Sequence, residues 1–407
     1  MRVLLTLSSW PTHYSAMVPL AWALQAAGHE LRVLCAPSQS GPVSAAGLNP
    51  TPVLDGMEVE TRLRLQYYAE AHSGIWPYPW LPPHPLTGER LRALEDFDLD
   101  HFRRHIAPGL AARTAAGMDE AVRCARAWQP QLVLHDPASL EGLLAARVIG
   151  VPSAMCLWGP VGTHEPEHMR IVPPDDSASF PRYGLGEMHL DLIEHVVDPC
   201  PSALTPPTRA AHLPVRFVPY NGSTPAPAVL PEPRQGRPRV CVTWSTALSK
   251  VSGPDSYLLP AVLDGLADLD CDVLVTATAQ DVATLGRTPP SVRVMEHVPL
   301  RLLLPTSSVV VHHGGSGSIL TALWAGVPQL LLTFAAEQSA AGERTAAAGA
   351  GIHRLGHLAE PSVIREDVRR LLDEGSYRRS AAALREEVLS RPTPAALVAD
   401  LEALAGV

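Results

Sequence analysis

The sequence predicts an α/β fold made of two successive domains, each built around a parallel β-sheet. Three observations lead to this prediction. Short apolar runs that suit buried strands alternate along the chain with segments of helical periodicity. The alternation stops in a proline-rich stretch near the middle of the chain and starts again after it. The chain has 407 residues, which is more than a single typical core accommodates.

The first domain opens with a strand–helix–strand unit. The apolar run "RVLLTLSS" (2–9) predicts a buried strand. Over 17–29 the apolar residues recur at the i, i+3, i+4, i+7 spacing of one helix face, and Gly28 suits the end of that helix. The run 30–37 predicts a second strand. Units of this kind build parallel sheets.

The same alternation continues further along the first domain. Helices are predicted over 118–130 and 140–150, and strands over 131–137 and 151–158.

A proline-rich stretch separates the two domains. Residues 223–238 have no hydrophobic periodicity, which is typical of a linker. We therefore expect domains at 1–222 and 239–391, followed by a C-terminal helix within 392–407. In the second domain we predict strands over 239–246, 271–278, 307–313 and 328–335, and helices over 256–268, directly after 313, and through 361–404.

Composition and charge exclude several classes of protein. The formal net charge is −9 and the chain has no basic tract, so we expect no nucleic-acid partner. No apolar run reaches about 18 residues and "MRVLLTLSSW" lacks a signal-peptide cleavage site, so we expect no membrane span and a cytoplasmic location. The six cysteines include no CxxC pair, which indicates free thiols.

The segment "HHGGSGSILTALWAGVPQLLL" (312–332) predicts a strand end, a glycine-rich turn and a helix N-terminus. The first N–H groups of a helix lack intrahelical partners and carry partial positive charge, so a phosphate binds well there. Small residues let the anion approach the backbone. Ser316 and Ser318 would add hydroxyl donors or cap the helix, and His313 would donate to a phosphate oxygen. The alternative is a glycine turn that serves only close packing.

Four segments resemble family 1 glycosyltransferases, especially the bacterial enzymes that attach deoxysugars to antibiotic aglycones. Residues 297–332 resemble the nucleotide-sugar signature of that family, and 10–33, 130–153 and 334–352 resemble three further motifs in the same order. The resemblance implies the GT-B fold, in which two Rossmann-like domains face each other across a cleft. It also implies that the first domain binds the acceptor, the second binds the nucleotide-sugar, and the last helix crosses back to the first.

The resemblance implies an inverting transfer with His13 as the general base. An imidazole titrates near neutral pH and takes the proton of an attacking hydroxyl. Asp136 matches the acid that partners this base, where a carboxylate would hold the tautomer of the imidazole. Their alternative roles are a structural histidine in a loop and a helix cap.

The resemblance also implies the residues that bind the donor: Thr246, His297, Val298, His313, Gly315, Ser316, Gly317, Ser318, Glu337 and Gln338. The sequence departs from the family pattern at two points. Ser245 replaces a glycine beside the diphosphate loop, and His297 replaces a tryptophan that stacks on the base. We expect a dTDP-sugar as donor, with a UDP-sugar as the alternative.

The resemblance implies a hexosyltransferase. A helix N-terminus can stabilise a diphosphate leaving group without a metal, so we expect neither a metal nor a cofactor to be required. The acidic runs 96–100 and 268–272 imitate a D-x-D metal motif, but caps or solvated faces are the expected roles. For the acceptor, Trp76, Tyr78 and Trp80 would form an aromatic wall, with ordinary packing as the alternative.

Two other functions stay open at this point. One is a nucleotide-sugar epimerase of the same two-domain shape, and the other is a non-catalytic, donor-binding partner of a two-protein transferase. A homodimer and an auxiliary activator protein are both compatible with the resemblance. The identities of the sugar, the aglycone and the linked atom are not written in these motifs.

Overall fold

The computed structural model describes residues 1–285 and 288–407, without the side chains of Thr246, Gln280 and Thr284. Two sheets of parallel strands with helices around them make up this part of the chain. The predicted α/β fold is therefore confirmed.

The first sheet has seven strands in the order β3-β2-β1-β4-β5-β6-β7. Their bounds are β1 Arg2–Thr6, β2 Glu30–Leu34, β3 Pro50–Thr51, β4 Leu132–His135, β5 Ser153–Cys156, β6 His195–Asp198 and β7 Ala211–Pro214. The second sheet has six strands in the order β10-β9-β8-β11-β12-β13. These are β8 Arg239–Thr243, β9 Asp272–Ala277, β10 Val292–Glu296, β11 Val309–His312, β12 Gln329–Thr333 and β13 Gly351–Leu355.

Helices connect these strands. In the first part of the chain they are α1 Val18–Ala26, α2 Ser40–Ala45, α3 Val59–His72, α4 Leu99–His101, α5 Ala107–Trp128, α6 Leu140–Ile149 and α7 Ser179–Arg182. The later ones are α8 Thr246–Ser252, α9 Leu259–Leu266, α10 Ala279–Leu285, α11 Leu300–Leu303, α12 Ser316–Ala325, α13 Ala336–Ala347, α14 Pro361–Asp373, α15 Gly375–Ser390 and α16 Pro394–Ala405.

Both sheets reverse their strand order at a central strand. In the first sheet β1 pairs in parallel with β2 on one side and β4 on the other, and in the second β8 pairs with β9 and β11. Loops that leave the carboxyl ends of strands on the two sides of such a strand diverge. The crevice between them is the usual ligand site of open α/β sheets.

The last helix packs against the first sheet through apolar side chains. Leu397, Val398 and Leu401 of the last helix, α16, are buried in one cluster with Val3 and Leu24 of the first sheet and its first helix. The chain therefore finishes on the sheet from which it starts.

The differences from the predicted elements have local causes. Helix α5 begins at Ala107, well before the predicted 118, because a π-helical segment, Phe102–Ile106, leads directly into it. The strand predicted over 239–246 ends at Thr243, since Ser245 caps helix α8 by accepting a hydrogen bond from Ala247 N at 3.2 Å.

Two further observations bear on the composition. Every cysteine of the chain is buried and free. Among the helices of the described residues, none combines the length and the apolar character that a bilayer crossing requires.

Candidate functional site

A cleft of about 1310 Å³ lies between the carboxyl ends of the two sheets. Loops after β1 and β5 bring His13 and Trp158 to one wall. Loops after β10, β11 and β12 bring His297, His313 and Glu337 to the other. The structure thus gathers residues that lie more than 300 positions apart in the sequence.

The two histidines that open the glycine-rich segment have different roles. His312 is fully buried at the end of β11, where Gly314 N–H donates to its Nδ1 at 3.1 Å. Its Nε2 therefore carries the proton and donates to Gln329 Oε1 at 2.9 Å. Gly314 has φ +85°, and a Cβ there would lie 2.6 Å from Thr333 Cγ2. This histidine and this glycine hold the shape of the turn.

His313 faces the cleft instead. Its ring packs over Gly315, where a Cβ would come within 2.6 Å of Nε2, and its edge meets the Trp244 ring with centroids 5.9 Å apart. Its Nδ1 is buried and has no hydrogen-bond partner within 1–285 and 288–407. Burial, and secondarily His312, lower the pKa of His313 to about 3, so the ring is neutral at pH 7.

Helix α12 starts at the cleft with unpaired N–H groups. Gly315 is the N-cap residue and none of the described side chains caps the helix, so Ser316 and Ser318 do not take the capping role that was one of their expected alternatives. The Gly315 carbonyl accepts from the N–H groups of Ser318 and Ile319, at 2.9 and 3.0 Å. A Cβ on Gly317 would meet nothing within 4 Å, so this helix end opens into free space. The geometry suits an anion.

The loop after β10 holds His297 in an unusual conformation. Its φ is +50°, which is uncommon for a residue with a side chain, and its N–H donates to Ala277 O at 3.0 Å. The carbonyl of Val298 accepts a hydrogen bond from Thr276 Oγ1 at 2.9 Å. Both predicted residues line the cleft, and backbone bonds fix their positions.

Glu337 and Gln338 lie in the first turn of α13 and line the same wall. Gln338 Oε1 accepts from Phe334 N at 3.3 Å. Burial, assisted by Glu70, raises the pKa of Glu337 to about 7, so its carboxyl can donate or accept a hydrogen bond near neutral pH. The side chain of Thr246 lies outside the part of the chain that the structure describes.

On the opposite wall, His13 stacks on Trp158. The ring centroids are 3.7 Å apart with an interplanar angle of 14°. The imidazole Nδ1 lies 3.0 Å from Ser8 Oγ. Burial lowers the pKa of His13 to about 3, which keeps the ring unprotonated and able to take a proton at pH 7.

Asp136 lies behind this histidine and is completely buried. Its Oδ2 accepts from Ser8 N at 2.6 Å and its Oδ1 from Ala138 N at 2.8 Å. Burial raises the pKa of Asp136 to about 6 against the lowering effect of these bonds. Within the described residues no hydrogen bond joins Asp136 to His13 directly, which corrects the expected pair: the Ser8 residue stands between them.

The predicted acceptor wall also needs correction. Trp76, Tyr78 and Trp80 are not among the described residues that line the cleft. Tyr78 stacks on Trp80 with centroids 5.2 Å apart and approaches Phe334 to 5.9 Å, while Trp80 Nε1 donates to Ser252 O at 3.0 Å. These rings fasten the 76–80 loop onto the second sheet and its helices. We do not retain them as acceptor residues.

The acidic runs have structural partners. Asp272 is buried and forms ion pairs with Arg234, Arg239 and Arg293, three cations that already compensate its charge. Asp96 accepts from the N–H groups of Arg92 and Ala93 and so closes a turn.

Sequence reasoning missed one loop that touches both walls. Residues 158–165 contain Trp158, and also Gly159, where a Cβ would lie 2.4 Å from Ser316 Cβ. Glu165 of this loop pairs with Arg344 of α13 at 2.7 and 2.9 Å. A lone Trp, Gly and Glu carry no recognisable spacing, so only the fold reveals their proximity.

The cleft thus has the N-terminus of α12, which suits an anion, on one wall and an unprotonated imidazole on the other. The chain belongs to the family 1 glycosyltransferases of the GT-B fold that act in antibiotic biosynthesis. Models described as the C-terminal and N-terminal domains of erythromycin biosynthesis protein CIII-like match residues 260–404 and 94–245.

Individual relatives resemble the chain over nearly its whole length. It is 34% identical to 10-deoxymethynolide desosaminyltransferase from Streptomyces venezuelae, over 100% of this chain and 97% of that one. It is also 34% identical to tylactone mycaminosyltransferase from Streptomyces fradiae, over 99% of this chain and 92% of the relative.

Among solved structures, spinosyn rhamnosyltransferase SpnG complexed with thymidine diphosphate has a TM-score of 0.76 at 29% identity, over 99% of this chain and 100% of that one. The same enzyme complexed with spinosyn aglycone has a TM-score of 0.75 at 29% identity, with the same coverage. The chain is therefore a glycosyltransferase that moves a sugar to an aglycone.

Proposed function

We propose that the chain is an inverting glycosyltransferase that moves a deoxysugar from a dTDP-sugar to a natural-product aglycone, with His13 as the general base. One observation carries the proposal: the unprotonated imidazole of His13 and the open N-terminus of α12 line the same cleft. The relatives named as desosaminyl- and mycaminosyltransferases, and the SpnG complexes with thymidine diphosphate and an aglycone, support this choice of substrates.

The donor belongs in this proposal to the second sheet. The unpaired N–H groups at the start of α12 and the buried Nδ1 of His313 would hold the diphosphate, because both offer hydrogen bonds to an anion in a site of low dielectric constant. His297 and Val298 would flank the base. Glu337 and Gln338, at the start of α13, would bind sugar hydroxyls.

The acceptor belongs to the first sheet. We assign acceptor binding to residues 1–222 and donor binding to 239–391, joined by the segment 223–238, with 392–407 returning to the first sheet. His13 would take the proton of the acceptor hydroxyl, whose oxygen forms a bond to the anomeric carbon. The bond from that carbon to the diphosphate breaks, and its electron pair leaves with the nucleotide. Attack on the face opposite the leaving group inverts the anomeric centre.

The transfer assay combines the purified chain with dTDP-deoxysugars and the aglycones of its relatives, 10-deoxymethynolide and tylactone, in the presence of EDTA. We expect a glycoside with inverted anomeric configuration and release of dTDP. Activity of the chain alone would also exclude the need for an auxiliary protein. An altered free sugar without a glycoside would contradict the proposal and indicate an epimerase.

His13→Ala separates catalysis from donor binding. We expect kcat to fall about 10²- to 10⁴-fold, the usual contribution of a general base, while the dTDP affinity stays near that of the wild type. Wild-type turnover in this variant would remove His13 from the mechanism.

A further inference from the structure

We propose that Ser8 is a positioning residue of the transfer reaction: its hydroxyl links Asp136 to His13 and selects the tautomer in which the imidazole can act as a base. The inference rests on the proposed role of His13 and adds the means by which the distant carboxylate controls it. Ser8 does not touch the substrate in this account. It acts through the histidine.

The fold brings these three residues together from two adjacent strands. Strands β1 and β4 pair in parallel, with Thr6 opposite His135. Ser8 lies two residues beyond β1, and Asp136 follows β4 directly, so both leave the same edge of the sheet. His13 begins the turn that follows the loop after β1.

The contacts of Ser8 point in two directions. Its backbone N–H donates to Asp136 Oδ2 at 2.6 Å. Its side chain also lowers the pKa of this carboxyl group by hydrogen bonding, an effect smaller than that of the backbone bond. The hydroxyl oxygen lies 3.0 Å from His13 Nδ1. Ser8 is buried, so water does not compete for these bonds.

The chemistry of the carboxylate fixes the direction of the chain of bonds. An ionised carboxylate only accepts hydrogen bonds, so the Ser8 O–H that reaches it must donate. The Ser8 oxygen is then left with acceptor capacity alone, and the bond to His13 requires a proton on Nδ1. A neutral imidazole with Nδ1 protonated carries its free lone pair on Nε2. That is the nitrogen left to receive the acceptor proton.

The reverse tautomer would be inactive. If Ser8 donated to Nδ1 instead, Nε2 would carry the proton and could not take another from the acceptor hydroxyl. In the forward step the substrate proton moves to Nε2, and the imidazolium keeps its Nδ1–H bond to Ser8. Asp136 stabilises this cation electrostatically and gains no proton. The stacked Trp158 face adds a cation–π contribution.

The tautomer is measurable without any substrate. Selective ¹⁵N labelling of histidine in the full chain, with His13→Asn to assign the signals, reports which ring nitrogen carries the proton. We expect Nδ1–H in the wild type and mainly Nε2–H in Ser8→Ala. Ser9→Ala is the matched control. The neighbouring Ser9 hydroxyl accepts from Val59 N at 2.9 Å and has no part in the relay, by which we mean the hydrogen-bonded series Asp136–Ser8–His13. Nε2–H in the wild type would overturn the proposal, as would an unchanged tautomer in Ser8→Ala.

Kinetics provide the second test. We expect Ser8→Ala to lower kcat about 10- to 100-fold with little change in the KM of the nucleotide-sugar, and Ser8→Thr, which keeps a hydroxyl, to recover most of the loss. The double variant Ser8→Ala/Asp136→Asn should be no slower than the slower single variant, since both break one relay. Losses that multiply would overturn the link.

The proposed function and the positioning role of Ser8 can be contradicted by different results. Full activity of His13→Ala would end the proposed function while the tautomer measurement still reads the relay. A shifted tautomer in Ser8→Ala with wild-type kcat would overturn the positioning role alone.

Discussion

At the scale of single residues, burial decides what each histidine of the cleft can do. His312 is closed off by Gln329 and Gly314 and holds a turn, whereas His313 keeps a buried nitrogen without a partner in the described chain. From the sequence, the roles of His312 and His313 could be distinguished only by how close each residue lies to the glycines. It could not indicate Ser8, because the hydrogen bond to Asp136 joins residues 128 positions apart.

The pKa of Asp136 predicts how turnover depends on pH. Burial raises this pKa to about 6, and the relay needs the ionised form, so kcat should fall with a slope of one as the pH drops through about 6. His13 itself, with a pKa of about 3, becomes protonated only at a much lower pH. In the profile of kcat against pH, Asp136→Asn should lower the plateau at high pH and remove the acid limb, the fall in kcat around pH 6. The measurement is kcat against pH at saturating substrates.

Two other acids face this region and need controls. Glu141 lies near Asp136 and desolvation raises its pKa, while burial raises the pKa of Glu337, on the opposite wall, to about 7. Glu337→Gln should keep the acid limb assigned to Asp136. An unchanged limb in Asp136→Asn would assign the titration to a different group.

At the scale of elements, several of the strands that were predicted correctly are almost wholly buried. The runs that became β1, β9 and β12 are almost wholly buried, so their apolar character is continuous in the sequence. Strand β7 and the end of β13 are exposed and carry polar residues, so no apolar run marks them. Burial favours a clear signal but is not sufficient: β6 is mostly buried, yet its four residues have polar ends, His195 and Asp198, and it was not predicted.

The N-terminus of α12 leads to a prediction about size. A Cβ on Gly317 would enter open space at the helix end, where the diphosphate is proposed to bind. We expect Gly317→Val to weaken dTDP binding at least tenfold, because the side chain would occupy the volume of the phosphate. The measurement is calorimetric titration with dTDP.

Gly109→Val is the matched control for this variant. Gly109 also lies near the start of a helix, α5, and a Cβ there also meets nothing within 4 Å. It does not line the cleft. We expect unchanged dTDP affinity in the control. Equal affinities in both variants would remove the diphosphate from this helix end.

At the scale of the whole molecule, one loop connects the two walls. Trp158 stacks on His13, Gly159 packs on Ser316, and Glu165 pairs with Arg344 of α13. Arg344 also donates to Pro160 O at 2.6 Å. The distance between His13 and the start of α12 therefore depends on contacts that no single motif encodes. The sequence predicted the residues of the two walls but not what joins them.

Removal of Arg344 tests this connection. Arg344→Ala leaves the buried carboxylate of Glu165 without its cation, so we expect the free energy of unfolding to fall by about 2–4 kcal/mol. We also expect kcat to fall, since the loop would no longer hold Trp158 and Ser316 in place. Denaturant unfolding and steady-state kinetics measure the two effects.

Arg354→Ala is the control for stability alone. Arg354 makes a similar two-pronged pair with Asp367, at 2.8 and 2.9 Å, and both residues belong to the second-sheet part of the chain. This variant should lose stability and keep the wild-type kcat. Equal losses of kcat in the two variants would attribute the effect of Arg344 to stability.

The most direct test of the central claim is calorimetric titration of the purified chain, and of His313→Ala, with dTDP in excess EDTA. We predict metal-independent binding in the micromolar range for the wild type. We predict binding at least tenfold weaker for His313→Ala, since a lost hydrogen bond to a charged phosphate costs about 1.5–3 kcal/mol. The absence of binding for dTDP and then for UDP, or equal affinity in both proteins, would contradict the donor site described for this cleft.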